Sequence, residues 1–341
     1  MPPILKPLNR QILVITGASS GIGLATARKA AAAGARVFLA ARAGEALSAI
    51  CAEIESAGGK AAYLALDVAS EDAMEALAQA ALARFGGIDT WVNAAGVGLV
   101  GELKDTATDD HRRLFETNYW GVVYGSLAAA RYFRSQGTAG AIINMGSAAS
   151  DIALPFMGAY AASKFAVKGF TTSLRMELRH ERLPVSVTLI KPGSVDSPLA
   201  NHAKTMLGAA TAMPPPRYQP VVVARAILNA AVIPRREIAV GADALFGGAV
   251  ARMAPSLMEA LLSQVGRAAV VDEARPPPLI DNLHTVPAEG QERSGRYYAR
   301  PFSLTTMAQT HPAQSALAAL GAAALYAVMS KPKRPKRPAK R

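Results

Sequence analysis

A tyrosine and a lysine one helical turn apart are the residues best suited to chemistry in this sequence. Tyr160 and Lys164 lie at the start of a predicted helix, with Ala, Ala and Ser between them. An i, i+4 spacing places the phenol and the ammonium on one helix face. The pKa of a free tyrosine is about 10, and a nearby cation lowers it towards neutral pH. The pair predicts a proton donor and acceptor, although this spacing alone is common in ordinary helices.

Two further polar residues strengthen that interpretation. Ser147 follows the apolar run Ala141–Met145, where its hydroxyl would polarise a carbonyl beside the phenol. Asn118 lies inside a long predicted helix, although asparagine has a low helix propensity. A residue kept against local propensity is consistent with a functional role.

A glycine-rich loop precedes the first predicted helix. Residues Thr16–Gly23 read TGASSGIG and follow the first apolar run. Gly17 allows a tight turn, Gly21 lets the backbone approach a pyrophosphate, and Gly23 permits close helix packing. Because a helix N-terminus offers free N–H groups and a positive dipole, this position favours dinucleotide binding over plain packing.

The end of the second apolar run indicates which dinucleotide would bind. An NAD site usually has an acid there for the ribose hydroxyls, whereas a basic residue accommodates the 2′-phosphate of NADP. Here Ala41 is followed by Arg42, with no carboxylate. The guanidinium suits a phosphate in charge and geometry, so we predict NADP; a solvated Arg42 is the alternative.

The elements that must position these residues show two hydrophobic periods. Short apolar runs, typical of strands buried on both faces, cover Ile12–Thr16, Ala35–Ala41, Ala61–Val68, Ile88–Asn93, Ala141–Met145, Val185–Ile190 and Ile238–Val240. Helical stretches between them cover Gly21–Ala33, Glu45–Ala57, Asp72–Phe85, Asp109–Ser135, Tyr160–His180 and Val221–Val232. The alternation predicts an α/β protein with a doubly wound parallel sheet, the Rossmann fold.

The motifs, in this order and on these elements, resemble the short-chain dehydrogenase/reductase family over about residues 8–240. The matching segments are Thr16–Gly23, Asp67-Val68, Asn93–Gly96, Asn118, Ser147, Tyr160–Lys164 and Pro192-Gly193. Two departures are small: Ala94 stands where many relatives have a second asparagine, and Gly146 where a serine is frequent. Neither removes a required group.

The resemblance implies a role for each matched residue. Tyr160 would exchange a proton with the substrate oxygen, and Lys164 would lower its pKa and bind the nicotinamide ribose. Ser147 would hold the substrate oxygen, and Asn118 would position a water leading towards Lys164. The implied cofactor-binding residues are Gly17, Ser19, Ser20, Gly21, Ile22, Gly23, Arg42, Asp67, Val68, Asn93, Ala94, Gly96, Tyr160, Lys164, Pro192, Gly193, Val195 and Ser197.

These residues predict an NADP-dependent oxidoreductase that reduces a carbonyl or oxidises a secondary alcohol. The resemblance implies a substrate lid at residues 194–219, and its Ala, Leu and Met residues at 199–213 suggest an apolar small-molecule substrate. One alternative is an acyl-carrier-protein ketoreductase, whose usual short C-terminus differs from this one. Another is a non-catalytic NADP-binding tether or interaction protein. By resemblance we also expect a homo-oligomer, a dimer or tetramer.

Composition excludes several other classes. The net charge is +12, but seven Lys and Arg lie in residues 331–341, so a basic tail and not a nucleic-acid-binding domain is expected. Cys51 is the single cysteine, which favours a reducing, cytoplasmic location. The five histidines show no metal-ligand spacing, so we predict no metal site. The first apolar run begins by Ile12, and we expect no signal peptide.

Three regions are expected along the chain. Residues 8–244 would form the catalytic domain, 245–310 a C-terminal extension, helical at Leu245–Val265 and then loop, and 311–341 an apolar helix with a basic tail. Ser315–Met329 is too short to span a bilayer but suits the membrane interface. Basic residues after it would be attracted to anionic lipid, so we expect peripheral contact with the inner face of a membrane. Packing of this helix on protein is the alternative.

Overall fold

A seven-stranded parallel sheet lies at the centre of the computed structural model, which describes residues 2–287 and 290–316. Its strands are β1 (Ile12–Thr16), β2 (Arg36–Ala41), β3 (Lys60–Ala65), β4 (Thr90–Asn93), β6 (Gly140–Met145), β7 (Val185–Pro192) and β10 (Glu237–Val240). Their spatial order is β10-β7-β6-β4-β1-β2-β3, which changes direction at β1. In such a sheet ligands bind beyond the carboxyl ends of the strands near that change.

Helices cover both faces of the sheet. In chain order they are α1 (Gly21–Ala32), α2 (Gly44–Ser56), α3 (Glu71–Phe85), α4 (Thr108–Phe115), α5 (Gly121–Gln136), α6 (Gly158–His180), α7 (Leu199–His202) and α8 (Pro220–Val232). Helices α1 and α8 pack on one face, and α3, α5 and α6 on the other. The predicted doubly wound fold is confirmed.

The alternating direction of the side chains along β1 explains why helices cover both faces of the sheet. Leu13 and Ile15 pack in the core beneath α1 and α8, whereas Val14 packs in the core on the opposite face. All three side chains are fully buried. Because successive strand residues point to opposite sides, an unbroken apolar run requires helices on both.

Two predicted helices have a different internal structure. The predicted helix Asp109–Ser135 contains a π-helical turn at Glu116–Trp120 between α4 and α5. The predicted helix Leu245–Val265 is two helices, α9 (Ala242–Met253) and α10 (Pro255–Val270). Pro255 is the first residue of α10 and has no N–H to continue α9, and the residue before a proline is driven out of helical geometry.

The C-terminal part of the chain packs against the sheet and the cleft above it. Short strands β5 (Leu99–Val100) and β8 (Lys204–Thr205) pair in parallel. Short strands β9 (Ala210–Thr211) and β11 (Val271–Asp272) pair antiparallel, which joins the end of α10 to the predicted substrate lid. Helix α11 (Leu304–Thr310) lies on the edge strand β10, where the Gln309 amide bonds the N–H and C=O of Ala239 at 3.0 and 2.8 Å. Helix α11 thus covers the edge strand of the sheet and protects it from pairing with another chain.

The predicted apolar helix and basic tail of residues 311–341 lie mostly outside the described residues, which end at 316. Within the described ranges, none of the helices combines the length and apolar character needed to cross a membrane.

Candidate active site

The glycine-rich loop lies between β1 and α1 at the carboxyl edge of the sheet. Gly17 has φ +65°, and a Cβ there would lie 2.6 Å from the Ala95 Cα. A Cβ on Gly23 would lie 2.1 Å from the Gly17 carbonyl oxygen. Both positions therefore require glycine. Among the described residues, the N-cap Ser20 gives α1 no side-chain capping bond, so this helix end has the character of an anion site.

Arg42 and Asp67 follow the two neighbouring strands. Arg42 Nη2 donates to the carbonyl oxygen of Asn282 at 2.7 Å. Asp67 accepts from the Ala69 amide at 3.0 Å and from Arg113 Nη2 at 2.5 Å. Burial opposes ionisation, but these donors outweigh it and hold the pKa of Asp67 below its ordinary value. Both side chains line the cleft.

The loop after β4 brings Ala94 and Gly96 to the cleft but not Asn93. The Asn93 side chain is buried, accepting from Trp91 Nε1 at 2.8 Å and donating to Asn144 Oδ1 at 2.9 Å. It therefore ties the end of β4 to β6 beneath the loop that follows β4, and it does not line the cavity.

Ser147 and Tyr160 meet above the end of β6. Ser147 caps a short 3₁₀ helix by accepting from the Ala149 amide at 3.1 Å, while its own N–H donates to Ser150 Oγ at 3.2 Å. Burial raises the pKa of Tyr160 above its ordinary value, and a hydrogen bond with the Ser147 hydroxyl offsets part of that rise. The two hydroxyls are thus direct neighbours.

Lys164 lies one turn further along α6 and is 3% exposed. Its Nζ donates to the Met145 carbonyl oxygen at 3.0 Å and lies 5.6 Å from the centre of the Tyr160 ring. Burial lowers the pKa of Lys164 to about 8. Because that value is above neutral pH, the side chain is mostly a cation at pH 7.

Asn118 sits in the π-helical turn and is fully buried. Its Oδ1 accepts from the Val97 amide at 2.8 Å, and its Nδ2 donates to the Val97 carbonyl oxygen at 3.0 Å. A Cβ on Gly96 would lie 3.4 Å from Asn118 Oδ1 and 3.9 Å from Lys164 Nζ, so the three residues are close together. The Asn118 side chain braces the loop and does not itself line the cavity. Single π turns of this kind occur frequently at functional sites.

The segment that follows β7 also borders the cleft. The amide of Gly193 donates to the Val240 carbonyl at 2.9 Å, and that of Ser194 to Asp243 Oδ2 at 2.8 Å. Burial raises the pKa of Asp243, although the Ser194 hydrogen bond opposes the rise. No sequence motif pointed to Asp243, because it lies past the matched motifs at the start of α9.

One cavity of about 380 Å³ runs through the site. The predicted site residues that line it are Gly17, Ser19, Ser20, Gly21, Ile22, Gly23, Arg42, Asp67, Val68, Ala94, Gly96, Ser147, Tyr160, Lys164, Pro192, Gly193, Val195 and Ser197. Apolar side chains, including Ile152, Leu154 and Met213, line it beyond Tyr160. The cavity thus joins an anion-binding end to an apolar end, with the phenol between them.

A C-terminal segment also walls the cavity. Asn282, Val286 and Pro287 line it from outside the predicted catalytic domain. Gly21 at the start of α1 donates its amide to the Gln291 carbonyl at 3.0 Å. The sequence marked this region as loop, and its lack of periodicity gave no signal that it folds over the cleft.

The described residues contain no group of three or more His, Cys, Asp or Glu side chains arranged to hold a metal ion. The cavity instead offers glycine backbone, a helix N-terminus, one guanidinium and the Ser147–Tyr160–Lys164 group. Such a set suits an organic phosphate cofactor beside a proton donor.

Comparison with known proteins agrees with this geometry. A family model described as short chain dehydrogenase matches residues 11–208. The uncharacterized oxidoreductase YxnA of Bacillus subtilis is 43% identical over 263 residues, 76% of this chain and 74% of YxnA.

Two solved structures share the fold. A short chain dehydrogenase/reductase from Burkholderia phymatum, in complex with NAD, has TM-score 0.68 and 28% identity over 74% of this chain and 96% of that one. A metagenomic short-chain oxidoreductase in complex with NADP has TM-score 0.57 and 34% identity, covering 67% of this chain and 96% of its own. With the sheet order, the family match and the relatives in agreement, this chain belongs to the short-chain dehydrogenase/reductase family of oxidoreductases.

Proposed function

We propose that this oxidoreductase uses NADP(H) to interconvert a carbonyl and a secondary alcohol on an apolar small molecule. The observation that carries the proposal is the placement of Tyr160, Ser147 and Lys164 between the anion-binding and apolar ends of one cavity. Relatives in complex with NAD and with NADP support a nicotinamide dinucleotide at the first end.

Tyr160 is the proton donor in reduction and the acceptor in oxidation. When bound, NADPH supplies the hydride that reaches the carbonyl carbon. Ser147 donates a hydrogen bond to the carbonyl oxygen, and Tyr160 transfers its proton to that oxygen, giving the alcohol. The Lys164 cation stabilises the phenolate left behind, because an opposite charge nearby favours the charged form. Asn118 fixes the loop beside Lys164 and so positions the residues around the proton path.

Arg42 supports NADP over NAD. Its guanidinium lines the cavity at the end of β2, where a 2′-phosphate would lie, and the Asn282 carbonyl orients it. Gly17, Ser19, Ser20, Gly21, Ile22 and Gly23 would hold the pyrophosphate, with Asp67, Val68, Ala94 and Gly96 along the adenosine side and Pro192, Gly193, Val195 and Ser197 at the nicotinamide end. We expect Asn93 to act from beneath this surface, through the loop it braces.

The chemistry of the cavity separates the proposal from its two rivals. A non-catalytic tether has no use for Ser147, Tyr160 and Lys164 grouped at a cavity. An acyl-carrier-protein ketoreductase would serve a tethered substrate, whereas Met213 and Pro214 of the lid and Val270 of α10 enclose the apolar end here.

Oxidation of NADPH by the purified protein tests the proposal directly. Wild type and Tyr160→Phe would be assayed with steroids, retinoids, aliphatic ketones, quinones and an acyl-carrier-protein thioester. We expect turnover of at least one free apolar carbonyl by wild type and none by the variant. NADPH binding without turnover of any substrate would support the tether, and turnover of the thioester alone would support the ketoreductase.

We also propose peripheral membrane contact through the C-terminal region. Helix α10 supports it, because Leu257, Leu261 and Val265 recur on one face and are 66%, 53% and 44% exposed. The basic residues of 331–341 would add attraction to anionic lipid. Full-length protein should sediment with anionic vesicles in a salt-sensitive manner, and protein ending at Thr310 should bind less. Equal sedimentation of the two would contradict a role for the tail.

A homo-oligomer, a dimer or tetramer, is the assembly we propose. Apolar side chains exposed on α6 support it: Phe165 and Met176, three turns apart on one face, are 44% and 61% exposed, and the neighbouring Trp120 is 40% exposed. Light scattering after size exclusion should give a multiple of 35.5 kDa, and Met176→Glu should lower it. A monomeric wild type would contradict this assembly.

A further inference from the structure

A short C-terminal segment crosses the adenosine end of the cavity. We name residues 281–287 the strap. Leu283 at its centre is fully buried and packs with Val97, Leu99 and Leu114. The strap has neither helix nor strand, yet its central side chain is held in the protein core. Its position is therefore specified, and it is part of the cleft wall.

Polar contacts on both sides of Leu283 fix the strap further. Arg113 Nε donates to the Leu283 carbonyl at 3.1 Å, and Arg113 also holds Asp67. The main-chain N–H of Asn282 donates to the His202 carbonyl at 2.8 Å, which ties the strap to α7 at the substrate lid. His284 Nε2 lies 2.7 Å from Asp110 Oδ1. The strap thus bridges α4 and α7.

The side chain of Asn282 points to a ligand. The residue is 6% exposed and lines the cavity, and its Oδ1 is buried with no hydrogen-bond partner among the described residues. A buried polar atom without a partner is unfavourable, and in native proteins each such atom needs an explanation. A ligand group bound against this side chain would supply the missing partner. The main-chain carbonyl of Asn282 accepts a hydrogen bond from Arg42, so the side-chain amide of Asn282 is beside the guanidinium.

Taking the proposed NADP(H) dependence as its basis, we propose that Asn282 is a dinucleotide-binding residue and that the strap forms the outer wall of the adenosine site. Its side-chain amide hydrogen-bonds the adenosine ribose that carries the 2′-phosphate, and its main-chain carbonyl aims Arg42 at that phosphate. A carboxamide is suited to this place, because it bonds a ribose hydroxyl without adding negative charge beside a phosphate.

Asn229 provides a matched control. It is an asparagine on α8 that is 9% exposed, and its Oδ1 likewise has no partner among the described residues. Its Nδ2 donates to the Thr310 carbonyl at 3.4 Å, and it does not line the cavity. Loss of this amide removes a buried polar group without touching the proposed site.

Dinucleotide binding, measured by calorimetry on the full chain, tests the proposal without requiring a substrate. The ligands are NADPH, NADH and adenosine 2′,5′-bisphosphate, which carries the adenosine half alone. Asn282→Ala should raise the Kd of NADPH and of the bisphosphate about fivefold, the loss of one neutral hydrogen bond. Asn282→Asp has nearly the same shape and should raise both about 20-fold, because its charge faces the phosphate, with a smaller effect on NADH. Asn229→Ala should leave every Kd unchanged.

The outcomes separate this inference from the proposed function. Wild-type Kd values for all three ligands in both Asn282 variants would overturn the inference and leave the cofactor proposal intact. An equal loss for NADPH and NADH in Asn282→Asp would overturn the assignment to the phosphate-bearing ribose. Wild type that prefers NADH would overturn the cofactor proposal itself. Unfolding temperatures identify a variant that fails to fold, and the near-isosteric aspartate then carries the test.

Discussion

The inner and outer walls of the cofactor cleft are built in different ways. The inner wall consists of loops that follow β1, β4, β6 and β7, four neighbouring strands whose main-chain pairing continues through the sheet. The outer wall is the strap, which has neither helix nor strand and is held by one buried leucine and a few hydrogen bonds. Moving the inner wall requires disrupting the core, whereas the strap can be released locally.

Because of this difference, the inner wall suits the chemical step and the strap suits entry and release of the dinucleotide. The proposed proton transfer requires Ser147, Tyr160 and Lys164 to be held at fixed distances, which a sheet and a long helix provide. Binding and release of a dinucleotide require part of the wall to open, which a segment with few contacts permits. We therefore expect changes in the inner wall to affect turnover or abolish binding, and changes in the strap to affect affinity and release.

The largest effect should come from Tyr160→Phe, which removes the transferable proton and keeps the ring. We expect kcat to fall about a thousandfold with the Kd of NADPH within about twofold of wild type. Steady-state rates and calorimetry check this. Tyr298→Phe is the control, since Tyr298 is 82% exposed, and it should have no effect. Near-wild-type activity of Tyr160→Phe would contradict the mechanism.

Gly17→Ala should abolish binding through the inner wall. The new Cβ would lie 2.6 Å from the Ala95 Cα, and φ at this residue is +65°. We expect the Kd of NADPH to rise about 100-fold or more and the unfolding temperature to fall. Gly86→Ala is the control, because φ there is +82° with no atom within 4 Å. A similar loss of binding in both variants would show that local contact at Gly17 is unimportant.

Arg42→Ala should weaken NADPH binding by about 10- to 100-fold, the loss of a charge-assisted interaction, and leave NADH nearly unchanged. Titration with both dinucleotides measures this. Arg112→Ala is the control, because the Arg112 side chain is 74% exposed and pairs with Asp109 at the surface. Tighter binding of NADH than of NADPH in wild type would refute the preference.

Leu283→Ala should act on the strap alone. Truncation of a fully buried leucine loosens its packing against Val97 and Leu114, so we expect NADPH to dissociate about tenfold faster while kcat changes little. Stopped-flow displacement measures the rate. Leu279→Ala, at a residue that is fully exposed and just precedes the strap, should dissociate like wild type. An unchanged rate in Leu283→Ala would show that the strap does not control release.

The smallest expected effect is a change in the free energy of unfolding with pH. Because burial lowers the pKa of Lys164 to about 8, from 10.5, the unfolded chain binds more protons than the folded one between these values. The free energy of unfolding should therefore gain up to about 1.4 kcal/mol per pH unit between pH 8 and 10. The raised pKa of Tyr160 places its titration above this window. Urea unfolding of wild type should show the rise and that of Lys164→Met should not; equal slopes would contradict it.

Much of the inner wall was predictable because its elements are encoded locally. The run Ile12–Thr16 predicts β1 to the residue, and Ala141–Met145 differs from β6 by one residue at its start. Periodicity alone did not predict the helix boundary at Pro255. The apolar pattern continues through this residue, but because proline has no N–H, α9 ends before it and α10 begins at it.

The site itself was predictable only in part. The sequence placed Ser147 directly after a strand and Tyr160 and Lys164 on the following helix, and the structure brings these three together at one cavity. Asn93 and Asn118 were assigned to the site by the same motifs, yet their side chains lie beneath the cavity surface and brace its loops. Side-chain direction depends on what packs behind a loop, and a motif does not contain that information.

The sequence by itself determined the fold, the phosphate loop and the residues that we propose transfer the proton, because period, glycine spacing and motif order act over a few neighbouring positions. Only the tertiary structure decided where the strap lies. Asn282 meets Arg42 across 240 positions and Leu283 meets Arg113 across 170, contacts that no local pattern encodes. An irregular segment is placed by the surface that receives it, and that surface exists only once the sheet and its helices have folded.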